Sequence, residues 1–154
     1  MKIYVASSWR NPRHPAVVEA LRQAGHKVYD YRHPDGSGSA GFAWGQIGAY
    51  PPMCFLDYKI ALNHALARRA YRRDITAPDN ADCVIGLQPF GASTALEMGY
   101  SVGHGKLTIQ LLVDPPQLEL MGKMIDYTAD RVEQLLSIID RCDREAERLM
   151  GHEA

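Results

Sequence analysis

Cysteine is scarce in this chain, neither sign of charge prevails, and no apolar run approaches the length that crosses a bilayer. The three cysteines, Cys54, Cys83 and Cys142, are an odd number without metal-type spacing, which points to reduced thiols and a cytoplasmic setting. A net charge of −1 provides no electrostatic footprint for a nucleic-acid polymer, although a small nucleotide needs only a local cluster of donors. The first residues enter an apolar strand at once, without the h-region of a signal peptide, so neither secretion nor a membrane partner is expected. Internal repeats, low-complexity tracts and linkers are missing as well. What is there, 154 residues with 46% hydrophobic and 23% charged content, is enough for one domain, 1–154, with a real core.

Strands and helices alternate along the chain. Residues 2–6 read as a short strand, and 14–24 as a helix with Ala16, Val17, Ala20, Leu21 and Ala24 at helical spacing and Gly25 as its C-cap. Residues 27–30 form a second strand. The Gly-, Pro- and Ser-rich stretch 31–52, with Phe42 and Trp44 embedded, is a long loop of the kind that usually carries function. Residues 57–73 have helical periodicity, 81–87 read as a third strand, and a helix carrying Glu97 follows. Gly103 and Gly105 break that helix, 106–113 is a continuous apolar strand, 121–126 a short fifth strand, and 128–149 a long amphipathic helix. This pattern predicts a doubly wound α/β fold: a parallel five-stranded sheet in a flavodoxin-like three-layer sandwich.

One acidic residue stands out. Glu97 is expected in the first helical turn after an apolar strand, and ligands of open parallel sheets gather outside the carboxyl ends of the strands. A carboxylate there can attack a sugar carbon. Thr94-Ala-Leu-Glu97 also fits a capping box, which from spacing alone is the commoner explanation.

The company Glu97 keeps resembles the nucleoside 2-deoxyribosyltransferase superfamily, which includes the related nucleotide N-glycoside hydrolases. The resemblance rests on an ordered set: Lys2-Ile-Tyr-Val-Ala, Tyr71-Arg-Arg-Asp74-Ile ahead of Ala81-Asp82, residues 91–99 around Glu97, Gly105-Lys106, and Glu119-Leu-Met. It implies that Glu97 is the nucleophile that takes the glycosyl group, that Asp74 lies near the base and assists its protonation, and that Tyr4 orients Glu97. It also implies a homodimer or higher homo-oligomer, with Glu119 reaching a neighbour's cleft.

The residues support a compatible chemistry. Breaking an N-glycosidic bond builds positive charge on the sugar and negative charge on the base, so one group stabilises the sugar and another delivers a proton. Two carboxyl groups roughly 5 Å apart suit such a double displacement. Glu97 must then stay ionised, which a helix N-terminus favours, and Asp74 needs a partly apolar pocket. Asp74 equally fits an exposed residue paired with Arg72 or Arg73, and Tyr4 a core aromatic. Ser7, Trp9 and Arg10 leave the end of the first strand as candidate substrate contacts; Arg10 suits a phosphate, and Trp9, Phe42 and Trp44 suit stacking on a base or covering the core.

Two positions depart from the family pattern. Gly91 stands where transferases carry an aspartate, and Glu119 where they carry an asparagine; Ser93 and Thr94 lie near the phosphate-binding serine of the hydrolases but out of register. The helix N-terminus beside Ser93 suits an anion. His33, Asp35 and His64 lack the spacing of a zinc site, so no metal is expected, and no cofactor is needed. The expected activity is cleavage or transfer at the N-glycosidic bond of a nucleoside or nucleoside 5′-monophosphate. The alternatives are a nucleotide-binding module without catalysis and, ranked last, a flavin protein.

Overall fold

A computed structural model of the chain describes residues 1–34 and 41–151. Strand β1, Lys2–Ala6, leads into helix α1, His14–Gln23, and strand β2, Lys27–Tyr29. The C-cap of α1 is Ala24, one residue before the expected Gly25, and Gly25 takes the left-handed φ of 89° that ends the helix. Helices α2, Phe55–Asn63, and α3, Ala65–Asn80, precede strand β3, Cys83–Leu87. Helix α4, Ala92–Gly103, strand β4, Leu107–Leu111, strand β5, Tyr127–Ala129, and helix α5, Val132–Gly151, complete the order. The strands pair in parallel in the order β2-β1-β3-β4-β5, which is the flavodoxin-like arrangement that the alternation predicts. Among the described residues no helix is long and apolar enough to cross a membrane.

Alternation along the strands divides the interior in two. Ile3, Val5, Ile85, Leu87, Ile109 and Leu111 point to one face, where Val17, Val18 and Leu21 of α1 and Leu135 and Ile139 of α5 cover them. Tyr4, Ala6 and Val84 point to the other, beneath Met98 of α4 and Ala77 of α3. The second core is smaller and holds a phenol. It lies over β1 and β3, the two strands between which the chain order reverses, and in this topology ligands collect at that switch point.

Three boundaries differ from the sequence expectation. The helix expected over 57–73 is two helices, because the His64 ring nitrogen Nδ1 accepts from the Leu66 amide at 3.2 Å and caps α3. Residues 121–126 are not a strand: Leu120–Met124 is a 3₁₀ turn, and the ladder with β4 falls on Tyr127 to Ala129. The last helix therefore starts at Val132, with the Gln134 side chain accepting from the Asp130 amide at 2.7 Å.

Gly86 lets α4 settle onto the thinner core. A Cβ there would lie 2.8 Å from Phe90 Cζ and 2.9 Å from Met98 Sδ, inside van der Waals contact. Gly86→Val is expected to lower unfolding free energy by about 1–3 kcal/mol through overpacking, read from the midpoint of urea denaturation. An unchanged midpoint would mean that Phe90 and Met98 give way freely.

Candidate active site

Helix α4 begins at Ala92 with Gly91 as its N-cap, one turn earlier than a Thr94 cap would require. Glu97 is therefore the sixth helical residue and sits in the second turn, not the first. Thr94 is 1% exposed inside the helix, so the capping box does not form. Its hydroxyl makes no hydrogen bond among the described residues.

Glu97 instead looks down onto the sheet. The Tyr4 hydroxyl donates to its carboxylate, and the phenol beneath is almost wholly buried. Burial pushes the Glu97 carboxyl up to about 7; the Tyr4 hydrogen bond opposes this shift, and the negative charge of Asp74 adds to it. The helix N-terminus expected to keep Glu97 ionised is too far along the axis to dominate, since its influence fades within a turn. Burial also raises the Tyr4 hydroxyl, with Glu97 as its main charged neighbour.

Asp74 belongs to the same cluster. It acts electrostatically on both Tyr4 and Glu97 from α3, and its Oδ1 accepts from Arg73 Nε at 3.0 Å and from the Tyr29 hydroxyl at 3.4 Å. The pairing with Arg73 and the approach to Glu97 thus occur together. Tyr29 is level with Tyr4 in the β1–β2 ladder, and the two rings lie 6.0 Å apart.

The loop after β1 forms the rim. Ser7 is buried, and its carbonyl accepts from the Tyr31 hydroxyl at 2.7 Å. Arg32 Nη2 donates to the carbonyls of Ser8 and Asn11 at 3.1 and 2.8 Å. Trp9 stands edge-on to Tyr31 at 5.4 Å, with about half its surface exposed. Arg10 is exposed and, among the described residues, makes no ion pair. Phe42 and Trp44 pack edge-to-face on one another at 5.1 Å. Asn11 Nδ2 donates to the Gln88 carbonyl at 3.2 Å, and Gln88 and Gln117 exchange side-chain and backbone hydrogen bonds, each at 3.0 Å.

Among the other predicted positions, Gly91 abuts the β1 loop at Ser8. Gly91 and Glu119 line a cavity of about 390 Å³ with Ala95, Met98, Gln117 and Met121, against another face of α4. Ser93 is exposed in the first turn of α4. A cavity of about 510 Å³ runs between the β1–β2 edge and α3, lined by Lys2, Lys27, Tyr29 and Arg73, so it borders the Asp74 cluster. His33 pairs with Asp30 at 3.2 Å and His64 caps α3, while Asp35 lies outside the described residues. Sequence reasoning did not single out Tyr29, Tyr31 or Arg32. Tyr29 and Tyr31 are two apart at the end of β2, and that spacing was the available signal.

No protein-family model matches the chain, and no curated protein matches it by sequence. Its fold is similar to that of a solved 2-deoxyribosyltransferase from the psychrotolerant bacterium Bacillus psychrosaccharolyticus, at 20% identity and a TM-score of 0.57, over 88% of this chain and 90% of that one. It is similar as well to the CMP N-glycosidase BcmB of Clostridium botulinum, at 15% identity and a TM-score of 0.52, over 91% of this chain and 99% of that one. These neighbours match the superfamily that the sequence resembles, and at such identities the likeness is one of fold.

The raised Glu97 carboxyl has a consequence for stability. Folded, it keeps its proton up to about pH 7; unfolded, it releases it near 4.5, so stability falls as pH rises between these values and levels off above them. The loss is at most about 3 kcal/mol. Glu97→Gln stays neutral and should melt increasingly above the wild type from pH 5 to 8, with little difference below pH 4.5. A melting difference that does not vary with pH would show that folding leaves the Glu97 carboxyl unshifted.

Proposed function

We propose that the protein is an enzyme that cleaves or exchanges the N-glycosidic bond of a nucleoside or nucleoside 5′-monophosphate, through a glycosyl ester on Glu97. The observation that carries this reading is the hydrogen bond from buried Tyr4 to Glu97 beside Asp74, at the switch point of the sheet. The fold likeness to a deoxyribosyltransferase and a CMP N-glycosidase supports it. Ionised Glu97 attacks C1′, the C1′–N bond breaks, and its electron pair leaves with the base. Asp74 holds the departing base and passes it a proton drawn from solvent. Water then attacks the ester to give hydrolysis, or a second base attacks to give transfer. Tyr4 orients the nucleophile and favours its charged form. Ser7, Trp9 and Arg10 on the β1 loop, with Phe42 and Trp44, supply substrate contacts. Ser93 lies at an amide-rich helix end suited to a phosphate. Gly91 and Glu119 belong to a second wall, used in a homo-oligomer. The unpaired Cys54, Cys83 and Cys142 suit a reducing cytoplasm.

The test is incubation with deoxyribonucleosides, ribonucleosides and their 5′-monophosphates, with and without an acceptor base. Turnover is expected for at least one class, and Glu97→Ala should reduce kcat by at least ~10³-fold. Folded wild-type protein that turns over none of them refutes the reading. Nucleotide binding by calorimetry, retained in wild type and Glu97→Ala without product from either, would instead make it a binding module.

The pH profile checks the role of Tyr4. With Glu97 ionising near 7, kcat/KM should rise with pH along an acid limb centred there. Tyr4→Phe removes a hydrogen bond that favours the charged form, so the limb should move upward by about one pH unit. A limb that stays in place would separate Tyr4 from the nucleophile.

A further inference from the structure

Helix α3 packs over β1, and the edge strand β2 stands beside it with none of its three residues buried. The cavity of about 510 Å³ lies in the angle between them and falls within the size range of small-molecule sites. It reaches along α3 from Arg73 to Asn80, a run of about 10 Å at the helical rise per residue. Thr76 and Ala77 form its wall between those ends, and side chains this small leave the space open. Tyr29 closes the end beside Arg73.

The opposite end is basic. Lys2 and Lys27 are partners in the parallel ladder, which puts two ammonium-bearing side chains on one face of adjacent strands, about 4.8 Å apart at the backbone. Like charges set side by side repel unless an anion joins them. Neither lysine makes an ion pair among the described residues. Asp82, the acid beside them, accepts instead from the Lys2 main-chain amide at 2.7 Å. A dianion answers both ammonium groups at once, whereas a single carboxylate leaves one charge over. A phosphate monoester is close to a dianion at neutral pH, and an inorganic ion would leave most of the groove unfilled.

We propose that this groove is a second ligand site, for a phosphate monoester that carries a flat aromatic body, with the phosphate on Lys2 and Lys27 and the body against Tyr29 and Arg73. Those two side chains also hold Asp74 Oδ1, at 3.4 and 3.0 Å, so the occupant and Asp74 share partners. Sites that share partners are coupled, and the coupling acts in both directions. Occupancy of the groove does not rest on the Glu97 chemistry.

Lysine acetylation of the full chain, resolved by residue with mass spectrometry, tests this with adenosine 5′-monophosphate as the probe. The nucleotide should slow modification of Lys2 and Lys27 and leave Lys59 and Lys123, exposed elsewhere, unchanged. Inorganic phosphate should need at least about tenfold more for the same protection. Thr76→Trp fills the groove from an exposed position and should abolish the protection. Lys27→Glu should weaken binding at least about tenfold, read at Lys2, and keeps the proposal testable if Thr76→Trp fails to fold. Asp74→Asn removes the acid that competes for Arg73 and Tyr29, and should tighten binding about fivefold. No protection, protection that survives Thr76→Trp or Lys27→Glu, or equal protection by inorganic phosphate overturns the site. An affinity indifferent to Asp74→Asn overturns the coupling. None of these outcomes bears on the Glu97 chemistry, which turnover decides.

Discussion

The hydrogen bond between Tyr4 and Glu97 joins the sheet to the helix that covers its thinner face, and the rest of the site is arranged around it. A phenol within an apolar core is costly unless its hydroxyl finds a partner. Here the partner is a carboxylate one layer above, itself withdrawn from water. Each group makes the burial of the other tolerable. The position of α4 over β1 and β3 is fixed to match, and Gly86 removes the one side chain that would hold the helix off the sheet. The compensation is partial, since burial outweighs the hydrogen bond and the carboxyl rises to about 7. A carboxyl balanced between its two protonation states at neutrality is the kind of perturbed group that gathers at functional sites.

Much of the fold was legible because the two sides of the sheet impose different patterns. The continuous apolar run in β3 reflects burial on both faces, β4 instead alternates Leu107, Ile109 and Leu111 with Thr108 and Gln110, and the spacing of Val17, Leu21, Leu135 and Ile139 reflects helices lying on one face. The errors fell where a local signal had two uses. Thr94 and Glu97 have the spacing of a cap, but Gly91 opens the helix earlier, at no steric cost in its extended conformation. His64 ends one helix and begins the next while the periodicity around it continues, so nothing in the pattern marks the break. Residues 121–126 contain enough apolar side chains for a strand, but the ladder to β4 starts at Tyr127, after a turn containing Gly122. At the site, Tyr4, Asp74 and Glu97 are singled out by the family resemblance, since spacing alone favours a cap for Glu97, a core aromatic for Tyr4 and equally an exposed ion pair for Asp74. Arg32 is not, because it acts on main-chain carbonyls that no side-chain pattern encodes.

The rim is held by polar contacts instead of a core. His14 is fully buried, and burial pushes it down to about 4, so a neutral ring packs against Tyr31 at 4.9 Å. Tyr31 then carries the Ser7 carbonyl, and Arg32 the two that follow along the loop. Asn11 ties this loop to Gln88, Gln88 ties the end of β3 to Gln117, and Arg13 reaches the Leu112 carbonyl at 2.7 Å beyond β4. Three loops that leave neighbouring strands at their carboxyl ends are thereby coupled. Loops joined through buried donors and acceptors keep their spacing when a ligand enters, because releasing any one leaves a desolvated group without a partner.

The two faces of the sheet differ in what they need from outside. Helices α1 and α5 close the larger core with wide apolar stripes, and that side presents charged residues to solvent. Helices α3 and α4 close the smaller core with alanines, Met98 and a phenol, which contribute less apolar area. Their outer surface nevertheless carries Tyr71 and Leu96, continued by α2 and the 118–121 ridge. The polar centre around Glu97 therefore depends on the pairing of Tyr4 with Glu97, because the small core beneath α3 and α4 supplies little apolar cohesion.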